Sequence, residues 1–453
     1  MELRKLEGKL TPEEMAVARQ ALSFALAHGA QQCRITLSKS LMDLYGTLDG
    51  ALDKVSHCLD RAMSIALFVD GRYGSFSTNR LDVQALDAFI AKAVATVRML
   101  AEDPHRTLPA PERTCKDSGD GNVLGICDLE GLASLTPERR LQMALDASCI
   151  RQCAEGKGWR IVSEEGEYSD SIADIYLIDS NGTECRQTDT SFEYGVEVTL
   201  EAEDGHKYSG YWIEASSWLK DLDIRGCSRK AVEKAVAKIG PMPVEGGCCN
   251  MVVDRECASR LLNPVINALS GFAIQQKNSF LQDSLGQPIF PTLLTVEDRP
   301  REKGRCGARL FDSEGVATAP RSVIDKGVVR NYFVSTYIAN KTGLSPTVDD
   351  ATRACIVPTC DADCRKLIEM AGDGILVTGF NGGNCNSATG DFSYGIEGMA
   401  FAGGKITEPV HEMVITGNMV SLWNSLAAVG SDPRSCMSWQ IPSLWFRNVD
   451  FSA

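Results

Sequence analysis

Histidine is scarce in this sequence: five residues in 453, at positions 28, 57, 105, 206 and 411. No two of them stand four or five positions apart, so no helix can turn a pair of imidazoles toward one zinc ion. His411-Glu412 opens like a zincin helix but continues Met413-Val414-Ile415-Thr416 without a second histidine, and reads as part of a strand. Positive charge is not in surplus either. The 46 Lys+Arg against 60 Asp+Glu leave a net charge of −14, which argues against direct nucleic-acid binding. No apolar run reaches the roughly 20 residues of a membrane span. The longest, Leu261 to Ile274, carries Asn263, Pro264, Asn267 and Ser270 and reads as a packed helix. A G-x-x-x-x-G-K-[ST] phosphate loop is also missing. Gly390-Asp391-Phe392-Ser393-Tyr394-Gly395 is one residue too long for a nucleophile elbow, and Ser393 has no neighbouring histidine to act as its base.

What is present is ordinary globular composition, with 44% apolar and 23% charged residues. At about 150 residues per domain the length suits two or three domains. Cysteine is plentiful at 17, an odd number. With no apolar leader at Met1-Glu2-Leu3-Arg4-Lys5, these read as reduced thiols in a cytoplasmic setting. Cys355, Cys360 and Cys364 form C-x4-C-x3-C, and Cys248-Cys249 are adjacent. Zinc sites favour C-x2-C pairs with four ligands, so buried inert thiols are the expectation.

The pattern along the chain is α+β. Thr11-Pro12-Glu13-Glu14 opens a helix through a capping box, and Gly29 closes it. Alternation at Cys33, Ile35 and Leu37, then a hairpin through Asp70-Gly71, predicts strands. Asp82 opens a second helix. After a Pro- and Gly-rich connector at about 103–135, Thr136-Pro137-Glu138 starts the pattern again: strands at Trp159–Val162 and Asp174–Ile178, a turn at Ser180–Thr183, another strand through Val196 and Leu200, and a helix capped by Ser228. Helix, strands, helix thus recurs from Thr11 to Thr136, as an internal duplication would leave it. An N-terminal α/β domain of helices on a mixed sheet, residues 1–240, is expected. Gly240–Gly247 marks the boundary. Residues 248–453 open with a short strand and a helix begun by Asp254, then become strand-and-turn, with Gly turns at Lys326-Gly327 and Gly403-Gly404. They are expected to form a mainly antiparallel β domain, either an open sheet or a barrel-like one.

The polar, Gly-rich segment Asn381–Gly390 is a conspicuous loop whose amides suit a peptide or an anion; a plain sharp turn is the alternative. Around it lies a series of ordered motifs: Asp283-Ser284-Leu285-Gly286, Leu294–Asp298, Phe311–Val316, Val323–Val329, Gly374–Thr378, Thr389–Gly395, Gly404–Val410, Ile415–Met419 and Val429–Asp432. Together they resemble the TldD/PmbA family, peptidase family U62, and its PmbA (TldE) branch in particular. The first half fits more loosely, through Lys39-Ser40, Gly71–Ser75 and Asp103-Pro104.

This resemblance implies a two-subunit cytoplasmic metallopeptidase system for proteolysis and peptide maturation, also named for modulation of DNA gyrase. In the TldD branch an H-E-x-x-x-H helix and a C-terminal Cys hold the catalytic zinc. The corresponding helix here is Leu261–Gly271, where Asn263 and Asn267 are degenerate positions and Cys436 lies near the place of the sulfur ligand. The expectation is a non-catalytic subunit with no metal and no catalytic residue of its own. Its partners would be a TldD-type zinc subunit and a peptide or unfolded-protein substrate. Asn384, Thr389, Gly390, Asp391 and Ser393 are the candidates for the groove or the subunit interface. An autonomous peptidase built on Cys436, Ser393 or Asp391, and a regulator binding gyrase directly, stand as alternatives. Whether the isolated chain forms a homodimer is open.

Overall fold

The protein is described from a computed structural model covering residues 7–148, 156, 158–240 and 246–452. Thr11 caps α1 (Pro12–Ala27) in the expected reciprocal box with Glu14. β1 (Gln32–Leu48), β2 (Ala51–Val69) and β3 (Arg72–Thr78) follow, then α2 (Val83–Val97), capped by Asp82. Next come α3 (Leu129–Ser134), α4 (Pro137–Asp146), β4 (Trp159–Asp179), β5 (Glu184–Ala202), β6 (Lys207–Ser216) and α5 (Cys227–Ala237). Ser228 is not a cap. It lies inside α5, and its hydroxyl donates to the Ala147 carbonyl.

The chain then continues through β7 (Gly247–Val253), α6 (Ser259–Ala268), α7 (Gly271–Gln275), β8 (Val296–Asp298), β9 (Arg321–Asp325), β10 (Val328–Val329) and α8 (Thr336–Thr342). β11 (Ala354–Ile356), α9 (Cys364–Ala371), β12 (Gly374–Phe380), β13 (Asn384–Cys385), β14 (Asp391–Ala402) and β15 (Lys405–Asn418) come next. α10 (Met419–Asn424), β16 (Leu426–Val429) and β17 (Leu444–Ser452) close it. Two compact units result, parting at Glu233/Lys234 rather than at Gly240. The first unit also takes back 301–318 and 335–348, segments the sequence reading had placed in the second domain. Part of the expected boundary, residues 241–245, lies outside the described residues.

In the first unit the sheet order is β3-β2-β1-β4-β5-β6, and every pairing is antiparallel. The expected mixed sheet is therefore corrected to an antiparallel one: tight turns join neighbouring strands, and the single long connection, β3 to β4, returns the chain beside β1. Each half contributes a three-stranded meander with flanking helices, and the two meet where β1 pairs β4 from Arg34↔Asp179 to Leu48↔Glu165. The repeat seen in the sequence is thus built into one sheet. Cys33, Ile35 and Leu37 of β1 pack with Ile65 and Leu67 of β2 under Ala21 and Ala25 of α1 and Ile90 of α2. Farther along the same face, Arg140 of α4 makes two hydrogen bonds to Asp170 of β4, at 2.6 and 2.8 Å.

The second unit holds an antiparallel sheet, β10-β9-β8-β11, and a larger one ordered β12-β7-β17-β15-β14-β13. A further antiparallel pairing of β12 with β14 joins the ends of its five-strand stretch into a closed, barrel-like ring. Its one parallel pairing, β7 with β12, is where mixed character enters the fold. Val252, Leu376, Phe401 and Trp445 pack with Leu367 and Ile368 of α9. The β14–β15 hairpin turns on Gly403 and Gly404, both at positive φ, as a two-residue turn requires.

Candidate functional site

α6 buries Leu261, Leu262, Val265 and Ile266 and exposes Arg260, Asn263 and Asn267. The spacing i, i+3, i+7 puts these three on one face. The helix opens later than its sequence signal suggested: Asp254 accepts the Glu256 N–H in a preceding turn, and the first helical residue is Ser259. Pro264 sits inside it and supplies no N–H to the Arg260 carbonyl.

Opposite this polar face lies the hairpin of β13 and β14, in which Asn384 faces Ser393 and Cys385 faces Phe392. Arg260 ties the two together. Its guanidinium donates to the Gly383 carbonyl at 2.9 Å and lies 5.0 Å from the centre of the Tyr394 ring. Tyr394 in turn stacks on Phe392 and meets Phe380 edge-on. The loop is braced from within: Asn386 accepts the Ala388 N–H at 2.9 Å, and the Gly390 N–H donates back to the Asn386 carbonyl.

Two open cavities flank Arg260. One, of about 620 Å³, is lined by Arg260, Pro264, Asn267, Phe272, Phe280, Asn384 and Tyr394, among others. The second, of about 670 Å³, is lined by Arg255, Glu256, Arg260, Asn263, Phe380 and the run Met437-Ser438-Trp439. Asn267 and Asn384 therefore share a cavity, whereas Asn263 faces the other. Cys436 is itself buried, immediately before the Met437 to Trp439 wall. Thr389 and Asp391 form a separate cluster: Thr389 donates to Asp391 at 2.7 Å, and the Asn418 amide donates to Asp391 at 3.1 Å and to the Thr389 carbonyl at 2.8 Å. These bonds hold the Asp391 carboxyl below its ordinary range. Gly390 is buried with φ +79°, and a Cβ there would touch the Phe280 ring. Ser393 is exposed on β14, opposite Asn384 and Thr416.

Chemically the walls of the two cavities offer amides, aromatic rings, the Arg255 and Arg260 guanidiniums and the Glu256 carboxylate. Burial pushes the Cys257 thiol well above its usual value, and Cys257 donates to the Asp254 and Val377 carbonyls. Burial and the nearby Asp391 carboxylate raise the Cys385 thiol too. The Glu256 carboxylate is engaged by Lys234. Elsewhere, Cys355 is buried on β11, the Cys360 thiol donates to the Val429 carbonyl, and burial raises the Cys364 thiol.

The donor set does not fit a catalytic zinc. Carboxamides such as Asn263 are weak ligands beside imidazole and thiolate. Counting the five-residue spacing of H-E-x-x-x-H from Asn263 puts Pro264 at the acid's position and Ala268 at the second imidazole's, while Asn267 stands one residue short. Ala268 is buried and has no donor atom. Among the described residues no group of three or more His, Cys, Asp or Glu side chains is placed to hold a metal ion.

The same residues carry the family match. The description "PmbA/TldA metallopeptidase C-terminal domain" fits residues 246–453, and "PmbA/TldA metallopeptidase central domain" fits residues 130–239. The chain belongs to the PmbA/TldD family. Within this family it is similar to the metalloprotease PmbA of Escherichia coli O157:H7, at 26% identity over 94% of this chain and 92% of that protein. It is also similar to a TldD homologue of Haemophilus influenzae, at 19% identity over 84% and 81%. A crystal structure from Bacteroides thetaiotaomicron, described as a candidate modulator of DNA gyrase, superposes with a TM-score of 0.93 at 42% identity, covering 98% of this chain and 99% of that one. TldE from Thermococcus kodakarensis shares the fold, with a TM-score of 0.81 at 17% identity over 96% and 100%. For a PmbA/TldD-family chain, the residues that sequence reasoning missed are Arg260 and Tyr394. Arg260 could have been found by reading the Asn263 face one turn back.

Proposed function

We propose that this chain is the PmbA/TldE-type subunit of a cytoplasmic two-subunit peptidase, and that it binds and presents the peptide while a TldD-type partner supplies the zinc. The observation that supports this reading is the α6 sequence itself: counted from Asn263, the H-E-x-x-x-H positions hold Asn263, Pro264 and Ala268, which offer no strong zinc ligand and no general base beside the two open cavities. The higher identity to a PmbA-named relative than to a TldD-named one, 26% against 19%, supports the branch. The groove's chemistry suits an extended peptide, with Asn267 and Asn384 as hydrogen-bond partners for a main chain and Phe272 and Phe280 for its side chains.

An autonomous peptidase is less well supported, because its three candidate residues are poorly set up for chemistry. Cys436 is buried, Ser393 is a strand residue facing out, and Asp391 is already engaged by Asn418 and Thr389. The deciding experiment combines the purified chain with a TldD-type subunit from the same organism. The pair is expected to co-elute and to cleave unfolded peptide, with neither subunit active alone. No association, together with unchanged activity of the TldD-type subunit, would end the proposal.

A further inference from the structure

Cys33, Ile35 and Leu37 of β1 face the helices, so Arg34 and Thr36 lie on the opposite face of the first unit's sheet. The ladder sets Ala66 and Asp179 beside Arg34, Ser64 and Leu177 beside Thr36, and Ser75 of β3 beside Ala66. Part of the returning segment 301–318 is strapped over this face. Gln187 of β5 grips its main chain on both sides of Arg309: the carboxamide donates to the Ala308 carbonyl at 3.3 Å and accepts the Leu310 N–H at 2.8 Å. Farther on, Asp312 accepts the Glu314 and Val316 N–H groups, each at 2.9 Å, and the Arg34 guanidinium donates to the Glu314 carbonyl at 3.3 Å. The Phe311–Val316 motif of the sequence is therefore the turn that holds the strap down. A cavity of about 380 Å³ remains between strap and sheet, and Arg34 and Arg309 both line it. Neither guanidinium forms an ion pair among the described residues. The acids nearby serve other groups. Asp312 braces the turn, and Asp179 accepts the Asn181 and Thr183 N–H groups. Burial pushes Asp189 above the ordinary aspartate range, against the opposing pull of Gln187 and Arg309.

We propose that this cavity binds a small amphiphilic anion, its charged head on Arg34 and Arg309 and its apolar body against Ile175, Leu177 and Phe311. Guanidinium forks pair with carboxylate and phosphate groups alike, so the shared chemistry is an oxyanion on an apolar body. Thr36, Ser64 and Ser75 add hydroxyl donors on the sheet side. The volume falls within the roughly 300–1,000 Å³ of small-molecule sites and exceeds the needs of a bare ion. Because Gln187 and Glu314 fix the strap at both ends of the cavity, the two arginines are positioned before any ligand arrives. The site uses no residue of α6 or of the β13–β14 hairpin, and it does not depend on the peptidase reading.

Isothermal titration calorimetry of the full chain alone tests this, with N-acetyl-leucine, phenyl phosphate and the uncharged N-acetyl-leucinamide as probes. At least one of the two anions is expected to bind, one molecule per chain, and the tighter of them identifies the head group. The amide should not bind. Arg309 is exposed, so Arg309→Gln leaves the fold intact, and it should weaken the anion about tenfold or more. Ser64 is exposed too, and Ser64→Glu sets a carboxylate inside the cavity, which should abolish binding. Failure of both anions to bind at millimolar concentration, equal binding of the amide, or binding unchanged in Arg309→Gln or in Ser64→Glu would each overturn the proposal.

Discussion

Gly383 stands where glycine is required: φ is +83°, and a Cβ would lie 1.9 Å from the Ser393 carbonyl oxygen. Gly383→Ala is expected to cost about 1–3 kcal/mol, measured by urea unfolding, and to loosen the loop that Arg260 clasps. Asp391 offers a second test at this scale. The Asn418 amide and the Thr389 hydroxyl favour its ionised form, so it titrates below the ordinary aspartate range. Because the folded state holds this carboxyl at the lower value, its stabilisation is present above the ordinary value and is lost as pH falls through the folded one. An NMR titration of the Asp391 carboxyl should give a midpoint below the ordinary aspartate range that moves up in Asn418→Ala. A midpoint unmoved by that substitution would contradict the assignment. At this scale the sequence was informative about single residues and silent about their grouping. Asn267 and Asn384 share a cavity and Asn263 lies one turn away, but Thr389 and Asp391 belong to a cluster completed by Asn418. Arg260 and Tyr394 are 134 positions apart, and no local pattern announces a contact that tertiary packing creates.

Among the elements, α4 is pinned to β4 by an ion pair almost without solvent: the Arg140 and Asp170 side chains are 10% and 1% exposed. Removing Arg140 leaves Asp170 buried without its counter-charge and takes the same guanidinium from Asp43, 3.3 Å away. Arg140→Ala is therefore expected to cost about 3–5 kcal/mol, while Arg140→Met combined with Asp170→Leu should recover most of that loss. Thermal or urea unfolding of the two variants distinguishes these outcomes, and equal losses would show that the pair itself, not its burial, matters. Helix starts were readable wherever a cap writes itself locally, as at Thr11, Asp82 and Thr136. Ser228 misled because its hydroxyl is spent on the Ala147 carbonyl and not on its own helix. The exposed length of β2 was unreadable for a different reason. Residues 51–60 are wet on both faces and carry no alternation, so only the ladder to β1 makes them a strand. Separate strands at Trp159–Val162 and Asp174–Ile178 proved to be the two ends of the single strand β4.

For the molecule as a whole, the family membership, the α+β class and the order of elements were carried by motifs spread over both halves. The return of 301–318 and 335–348 to the first unit was not, since it depends on contacts between distant segments. No helix among the described residues is long and apolar enough to cross a membrane. The account rests on a division of labour in which this chain contributes a groove and no metal chemistry. Its most direct test is the zinc content of the purified chain, measured by mass spectrometry after equilibration with zinc and without chelators. The donor set around Asn263, Ala268 and Cys436 predicts less than about a tenth of an equivalent. Close to one equivalent would contradict the account and make this chain a candidate metallopeptidase in its own right.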